Sequence, residues 1–137
     1  WVPGLNVVIY HGNKEAREII KKHELFLSKA DVEDMRAESA AAWVRRLPAS
    51  HVLPKFHVLI TTYEYADDPV VQSVQWDALV VDEGHSLKAG PGTKRFDTIK
   101  KLRSKHHVLL TGTPLQNNLR ELFNLLHHLD SKKFDSL

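Results

Sequence analysis

Four short runs of apolar and β-branched residues limit what this chain can become: LNVVIY (5–10), FHVLITTY (56–63), ALVVDE (78–83) and HVLLTG (107–112). Each is far shorter than the ~20 apolar residues of a membrane span. Each is almost continuously apolar at its centre, the pattern of strands buried on both faces of a sheet. Between and after them lie stretches with helical spacing. In NNLRELFNLLHHL (117–129), Leu119, Leu122, Phe123, Leu126 and Leu129 form one apolar stripe, and Asn118 with Glu121 makes a capping-box pattern at its start. NKEAREIIKKHELFL (13–27) and TKRFDTIKKLRSK (93–105) are predicted to be helices as well. Strands alternating with helices imply crossover units, hence an α/β domain with a mainly parallel sheet and helices on both faces. Residues 29–55 are rich in alanine and mixed charge and end between Pro48 and Pro54; they read as a partly helical insertion.

Composition narrows the function classes. At 137 residues and 42% hydrophobic content, the chain can build one core. With no cysteine there is no disulfide framework, which fits a reducing compartment. The opening WVPG is not a leader of methionine and charge, so the expectation is a soluble piece of a longer protein, with no membrane partner. A net charge of +2 does not by itself call for nucleic acid. Yet between Gly84 and His107 stand Lys88, Lys94, Arg95, Lys100, Lys101, Arg103 and Lys105 against Asp97 alone, a local 7 − 1 = +6. That stretch is either a solvated helix face or a phosphate-facing patch.

The chemistry sits at the ends of the apolar runs. In open parallel sheets ligands bind beyond the carboxyl ends of the strands. LVVDEGHSLK (79–88) buries a strand and then places Asp82 and Glu83 there. Two adjacent acids after four apolar residues match the Walker B pattern, in which the first carboxylate holds Mg²⁺ and the second activates water. An ordinary turn also uses Asp, Glu and Gly, so the motif alone leaves both readings open. HVLLTGTPLQNN ends likewise in Thr111, Gly112, Thr113 and Gln116, and ITTYE in Thr61 and Thr62. Three polar strand ends in this order are more specific than any one of them.

ITTYE (60–64), VVDEGHSLK (80–88) and LLTGTPLQNNLRELFNLL (109–126) resemble motifs of the Swi/Snf-type DNA-translocating ATPases of helicase superfamily two. WVPGLNVVIYHGNKEAREIIKKHE (1–24) resembles the chromodomain-helicase-DNA-binding subgroup. The resemblance implies that residues 1–137 are the later part of a first RecA-like lobe of a nuclear chromatin remodeller. Its cofactors would be ATP and Mg²⁺, and its partners duplex DNA or a nucleosome and a second RecA-like lobe. It further implies that Asp82 binds Mg²⁺ and Glu83 activates water. His85, Thr111, Gly112, Thr113 and Gln116 would serve the nucleotide and couple it to the DNA side; Thr61, Thr62, Lys88 and Lys94 would lie toward DNA.

The chain also departs from that family. Ser86 and Ala89 stand where Arg and Asn are usual, and one residue is inserted before Thr93 and Lys94. No glycine is followed by lysine, so there is no phosphate-cradling P-loop; AGPGTK (89–94) comes after the carboxylates and lacks the Gly-Lys step. The alternative function is therefore a non-catalytic, degenerate helicase-like module in chromatin silencing that binds DNA or protein without ATP turnover. A metal-dependent nuclease would need further acids at strand ends. Neither histidine pair, His106 with His107 or His127 with His128, can chelate a metal readily, because sequence neighbours diverge on strands and helices. Trp43 and Trp76 are either base-stacking platforms or packing residues.

Because half of a phosphate site is absent, the isolated 137-residue chain is expected to release no phosphate from ATP above background, with or without DNA. Steady-state phosphate release at high protein concentration measures this; turnover that disappears in Glu83→Gln would overturn it.

Overall fold

The computed structural model describes residues 2–38, 53–112 and 119–135. The chain divides into two compact units, Trp1–Thr62 and Tyr63–Leu137.

In the first unit, β1 (Val7–Tyr10) runs parallel to β2 (Val58–Thr61), with Val7 opposite Val58 and Ile9 opposite Ile60. Parallel strands need a long crossover, and the described part of this one carries two helices. In α1 (Lys14–Ile20), the Asn13 side chain accepts from the Ala16 N–H at 2.9 Å and caps the first turn. The sequence predicts a helix to residue 27. Instead α1 widens into a single π turn (Lys21–Leu25), and Phe26 is extended. The backbone there is drawn off by pairing with a distant segment: Leu27 N–H donates to the Leu53 carbonyl and Lys55 N–H to that of Leu25, both at 2.9 Å. Leu25, 1% exposed, is thereby fixed in the core with Val8, Tyr10, Val32 and Phe56.

The predicted insertion begins with a true helix, α2 (Lys29–Glu38). A reciprocal capping box starts it, Ser28 N–H to Asp31 Oδ2 at 2.9 Å and Asp31 N–H to Ser28 Oγ at 3.1 Å. Those bonds with Ser28 hold the Asp31 carboxyl below the usual carboxylate range. Residues 39–52 of the insertion, Trp43 among them, lie outside the described residues.

The second unit contains a 3₁₀ turn (Tyr65–Asp67), α3 (Pro69–Ser73), β3 (Trp76–Val81), a second 3₁₀ turn (Gly84–Leu87), α4 (Lys94–Lys101), β4 (Ser104–Leu109) and α5 (Leu119–Leu129). β3 and β4 are parallel, Trp76 opposite Ser104 and Val81 opposite Leu109. Both strands begin earlier than the apolar runs suggest. Their added polar residues are joined across the ladder by the Lys105–Asp77 ion pair, a contact that no periodicity within one segment reveals. Accordingly α4 stops at Lys101, and Leu102 is already extended. Phe96, Ile99 and Leu102 point into a core shared with Val71, Val81, Leu87 and Leu125. Asn118, the expected cap of α5, lies outside the described residues. Trp76 is a packing residue: half-buried, it donates from Nε1 to the Val71 carbonyl at 3.1 Å.

One face of each strand pair is the less exposed, with Val8 and Tyr10 buried on the first and Val81 on the second, and the other carries exposed apolar side chains, Val7, Ile9, Val58 and Ile60 on the first and Val80 and Val108 on the second. Parallel sheets are ordinarily covered on both faces.

The second core also contains His128, 2% exposed, with no hydrogen-bond partner on either ring nitrogen among the described residues. Phe96 meets it edge-on at 5.3 Å and His107 lies 5.3 Å away. The structure thus joins one member of each sequence pair of histidines. Burial first, then the charges of His107, Lys100 and His127, push the His128 pKa down to about 4. The unfolded chain therefore takes up this proton first as pH falls. Stability contributed by a neutral His128 is complete above about pH 6.5 and lost as pH drops toward about 4. In His128→Phe the urea midpoint should fall less steeply across that window, the difference approaching one proton, or ~1.4 kcal/mol per pH unit. Parallel pH profiles of the two proteins would overturn the assignment.

Candidate functional site

Because β3 and β4 are parallel, their carboxyl ends lie at one edge of the pair. Two backbone bonds join those ends: Leu110 N–H donates to the Val81 carbonyl at 2.9 Å, and Gly84 N–H donates to the Leu110 carbonyl at 2.8 Å. Between Val81 and Gly84 the chain has two residues in which to turn back, and these are Asp82 and Glu83. The turn places Glu83 in the left-handed region, φ 51 and ψ 46; no other described non-glycine residue has positive φ. Such a conformation costs an ordinary L-residue on the order of 1 kcal/mol or more and persists only where its surroundings enforce it. Gly84 is needed for close approach, since a Cβ there would stand 3.2 Å from the Leu109 Cβ.

Both carboxylates face solvent. Asp82 Oδ1 accepts from the Glu83 N–H at 2.9 Å, while Oδ2 has no partner among the described residues. Glu83 Oε2 lies 3.0 Å from His85 Nδ1, a close polar contact outside hydrogen-bond geometry. An exposed aspartate with a spare oxygen at a strand end suits a hard, oxygen-seeking cation such as Mg²⁺, which keeps most of its waters and takes one or two carboxylates. A second carboxylate one residue away can orient and deprotonate one of those waters.

Tyr63 was not singled out by the sequence reading. Its hydroxyl donates to the Asp82 carbonyl at 3.1 Å, fixing the backbone of the first carboxylate. Burial pushes the phenol pKa up, and the charges of Asp82 and Glu83 act in the same direction. The Arg95 guanidinium lies over the ring at 5.5 Å. Tyr63, Glu64, Lys94, Arg95 and Thr98 line a cavity of about 270 Å³. From sequence Tyr63 looked like the tail of an apolar strand; only the fold brings it to the carboxylate turn.

The other expected site residues divide clearly. Thr111 and Gly112 follow Leu110 directly and so share the edge with Asp82 and Glu83; Thr113 and Gln116 lie outside the described residues. Thr61 and Thr62 belong to the first unit, where the Thr61 hydroxyl donates to the Tyr10 carbonyl at 2.8 Å. Lys88 pairs with Glu121 at 3.4 Å, and Lys94 opens α4 exposed.

The basic stretch is less unbalanced in space than in sequence. Lys88, Lys101 and Lys105 pair with Glu121, Asp67 and Asp77, acids remote in the chain, while Lys94, Lys100 and Arg103 have no acidic partner among the described residues. Among the described residues no group of three or more His, Cys, Asp or Glu is assembled to hold a metal ion. No helix among them is long and apolar enough to cross a membrane.

The chain resembles known proteins over its whole length. The chain is 42% identical over 139 residues to the "CHD3-type chromatin-remodeling factor PICKLE" of Arabidopsis thaliana, covering 100% of the chain and 10% of that protein. It is 37% identical over 134 residues to "Chromodomain-helicase-DNA-binding protein 8" of Homo sapiens, covering 96% of the chain and 5% of that protein. It therefore spans a tenth or less of these relatives. A solved structure, "Sulfolobus solfataricus SWI2/SNF2 ATPase core in complex with dsDNA", shares the fold at a TM-score of 0.51 and 24% identity, over 93% of this chain and 32% of that one. The family model of the SNF2-related domain matches residues 1–137. With its whole length so matched, the chain belongs to the SNF2-related domain family.

Proposed function

We propose that residues 1–137 are the later part of a first RecA-like ATPase lobe of a nuclear, ATP-dependent chromatin remodeller that moves along duplex DNA. The observation that carries this reading is the strained carboxylate turn: Asp82 and Glu83 at the joined ends of two parallel strands, with Glu83 held at positive φ. The exposed apolar faces of both strand pairs support the partial-lobe reading, since they are surfaces that further chain would cover.

In the proposed mechanism Asp82, whose Oδ1 is bonded to the Glu83 N–H, would be the carboxylate that holds Mg²⁺. When bound, the metal neutralises phosphate charge. Glu83 takes the proton of the attacking water, and His85, 3.0 Å from its carboxylate, responds to that change of charge. Thr111 and Gly112, continued by Thr113 and Gln116 in the sequence, line the nucleotide side from the neighbouring strand. Thr62 contacts the DNA backbone; Thr61 has already committed its hydroxyl proton to Tyr10. Lys94 faces phosphate as an unpaired cation, and Lys88 does so only where its pairing with Glu121 loosens. The second RecA-like lobe and the nucleosome are the partners of the whole protein.

Two experiments test this. In the full-length protein, Glu83→Gln should cut ATP hydrolysis ~10²- to 10⁴-fold while ATP binding is retained; equal losses in both would remove the water-activating role. A protein with no DNA-stimulated hydrolysis for Glu83→Gln to abolish would point to the degenerate, non-catalytic module.

For DNA, affinity of the chain for a random duplex should fall steeply with salt, and Lys94→Ala should reduce the log–log slope by ~1. Lys101→Ala and Lys105→Ala, whose ammonium groups already have acidic partners, should change it less. A flat salt response would exclude backbone-directed binding by this face.

A further inference from the structure

We propose that Asn124 is a positioning residue for Glu83: from α5 it clamps the far end of the loop that the carboxylate begins. This rests on the reading of Asp82 and Glu83 as the hydrolytic pair. From Glu83 to Gly90 the backbone is tied in successive tight turns, Ser86 N–H to Glu83 O at 3.0 Å, Lys88 N–H to His85 O at 3.1 Å and Gly90 N–H to Leu87 O at 3.0 Å. Leu87, fully buried, anchors the middle. A segment with so many internal bonds moves as one piece, so what holds one end sets the other.

The near end is held by the Gly84–Leu110 bond. The far end is held from two helices: from α5, Asn124 Nδ2 donates to the Lys88 carbonyl at 2.7 Å and Glu121, one turn earlier, lies 3.4 Å from the Lys88 ammonium, while at the start of α4 the Thr93 hydroxyl donates to the Gly90 carbonyl at 2.9 Å. A carbonyl partner requires the amide nitrogen, which fixes the side-chain orientation. Gly90 shows how close the clamp is. Its φ is +76, and a Cβ there would stand 2.6 Å from Asn124 Cγ and Nδ2. Two supports on one stiff loop are what an over-determined left-handed glutamate needs. With the far support gone, Glu83 can relax to ordinary backbone angles and carry its carboxylate off the water it should activate.

Asn124→Asp keeps the shape but cannot donate to a carbonyl, and Asn124→Ala removes both contact and bond. In the 137-residue chain, both variants should speed hydrogen exchange at the Ser86, Lys88 and Gly90 amides at least about tenfold, while amides of the β3–β4 ladder keep their protection. Gly90→Ala, which crowds the Asn124 side chain and also strains the backbone at φ +76, should release the same amides. In the full-length protein, Asn124→Asp should lower kcat for ATP hydrolysis at least about tenfold with KM for ATP within about twofold. Loop amides that stay protected in all three variants would overturn the clamp. A released loop with unchanged kcat, in a protein that Glu83→Gln inactivates, would overturn the positioning role. Should Glu83→Gln leave hydrolysis intact, the hydrolytic reading fails instead, and hydrogen exchange alone decides whether the clamp exists.

Discussion

The second unit depends on a small backbone device: Leu110 donating to Val81 and accepting from Gly84. It ties the ends of two parallel strands together beyond their ladder and leaves two residues to reverse direction. A reversal that short cannot be made with relaxed angles throughout, and the strain falls on Glu83. An aspartate before it and a glycine after it complete a turn that presents two carboxylates to solvent. The site is thus a by-product of how the strand pair is closed, with backbone bonds at its centre and side-chain bonds from Tyr63 and Asn124 at its flanks.

Around this turn the structure distributes support unevenly. Tyr63 holds the Asp82 backbone from one side and Asn124 holds the Lys88 backbone from the other, while both acidic side chains stay exposed to solvent. That division is reasonable for groups that must meet a cation and a water: the backbone is rigid and the oxygens are available. The electrostatics are similarly local. Three lysines of the basic stretch are answered by acids from other segments, which leaves the remaining cations, Lys94 at the start of α4 among them, as the part of the face able to attract phosphate. Exposed pairs of this kind contribute little to stability, and their main effect is to reduce the net charge that a ligand meets.

The sequence and the structure part company at identifiable places. The predicted helix over 13–27 ends early because Leu25 and Leu27 pair with Lys55 and Leu53, residues almost thirty positions away. The predicted helix over 93–105 gives up its last residues to β4, where Lys105 meets Asp77. In both cases a long-range backbone or charge contact outweighs local helical spacing, whose intrinsic preference is only a few tenths of a kcal/mol per residue. The histidines show the same limit. His107 and His128, one from each adjacent pair, meet across the core, a contact between distant segments that neither pair's spacing reveals.

What the sequence determined by itself was the alternation of apolar runs and helical stretches, and the polar residues at the run ends. Apolar spacing and a pair of adjacent acids are local properties, set by the period of strand and helix and by the chemistry of the side chains. Asp82, Glu83, Thr111 and Gly112 were legible on that basis. The tertiary structure alone decided that Glu83 is left-handed, that Tyr63 and Asn124 hold its neighbours, and that position 90, at φ +76 with Asn124 against it, calls for glycine. Each of those depends on which segments are brought within 3 Å of one another, and that proximity is a property of packing that no stretch of the chain carries alone.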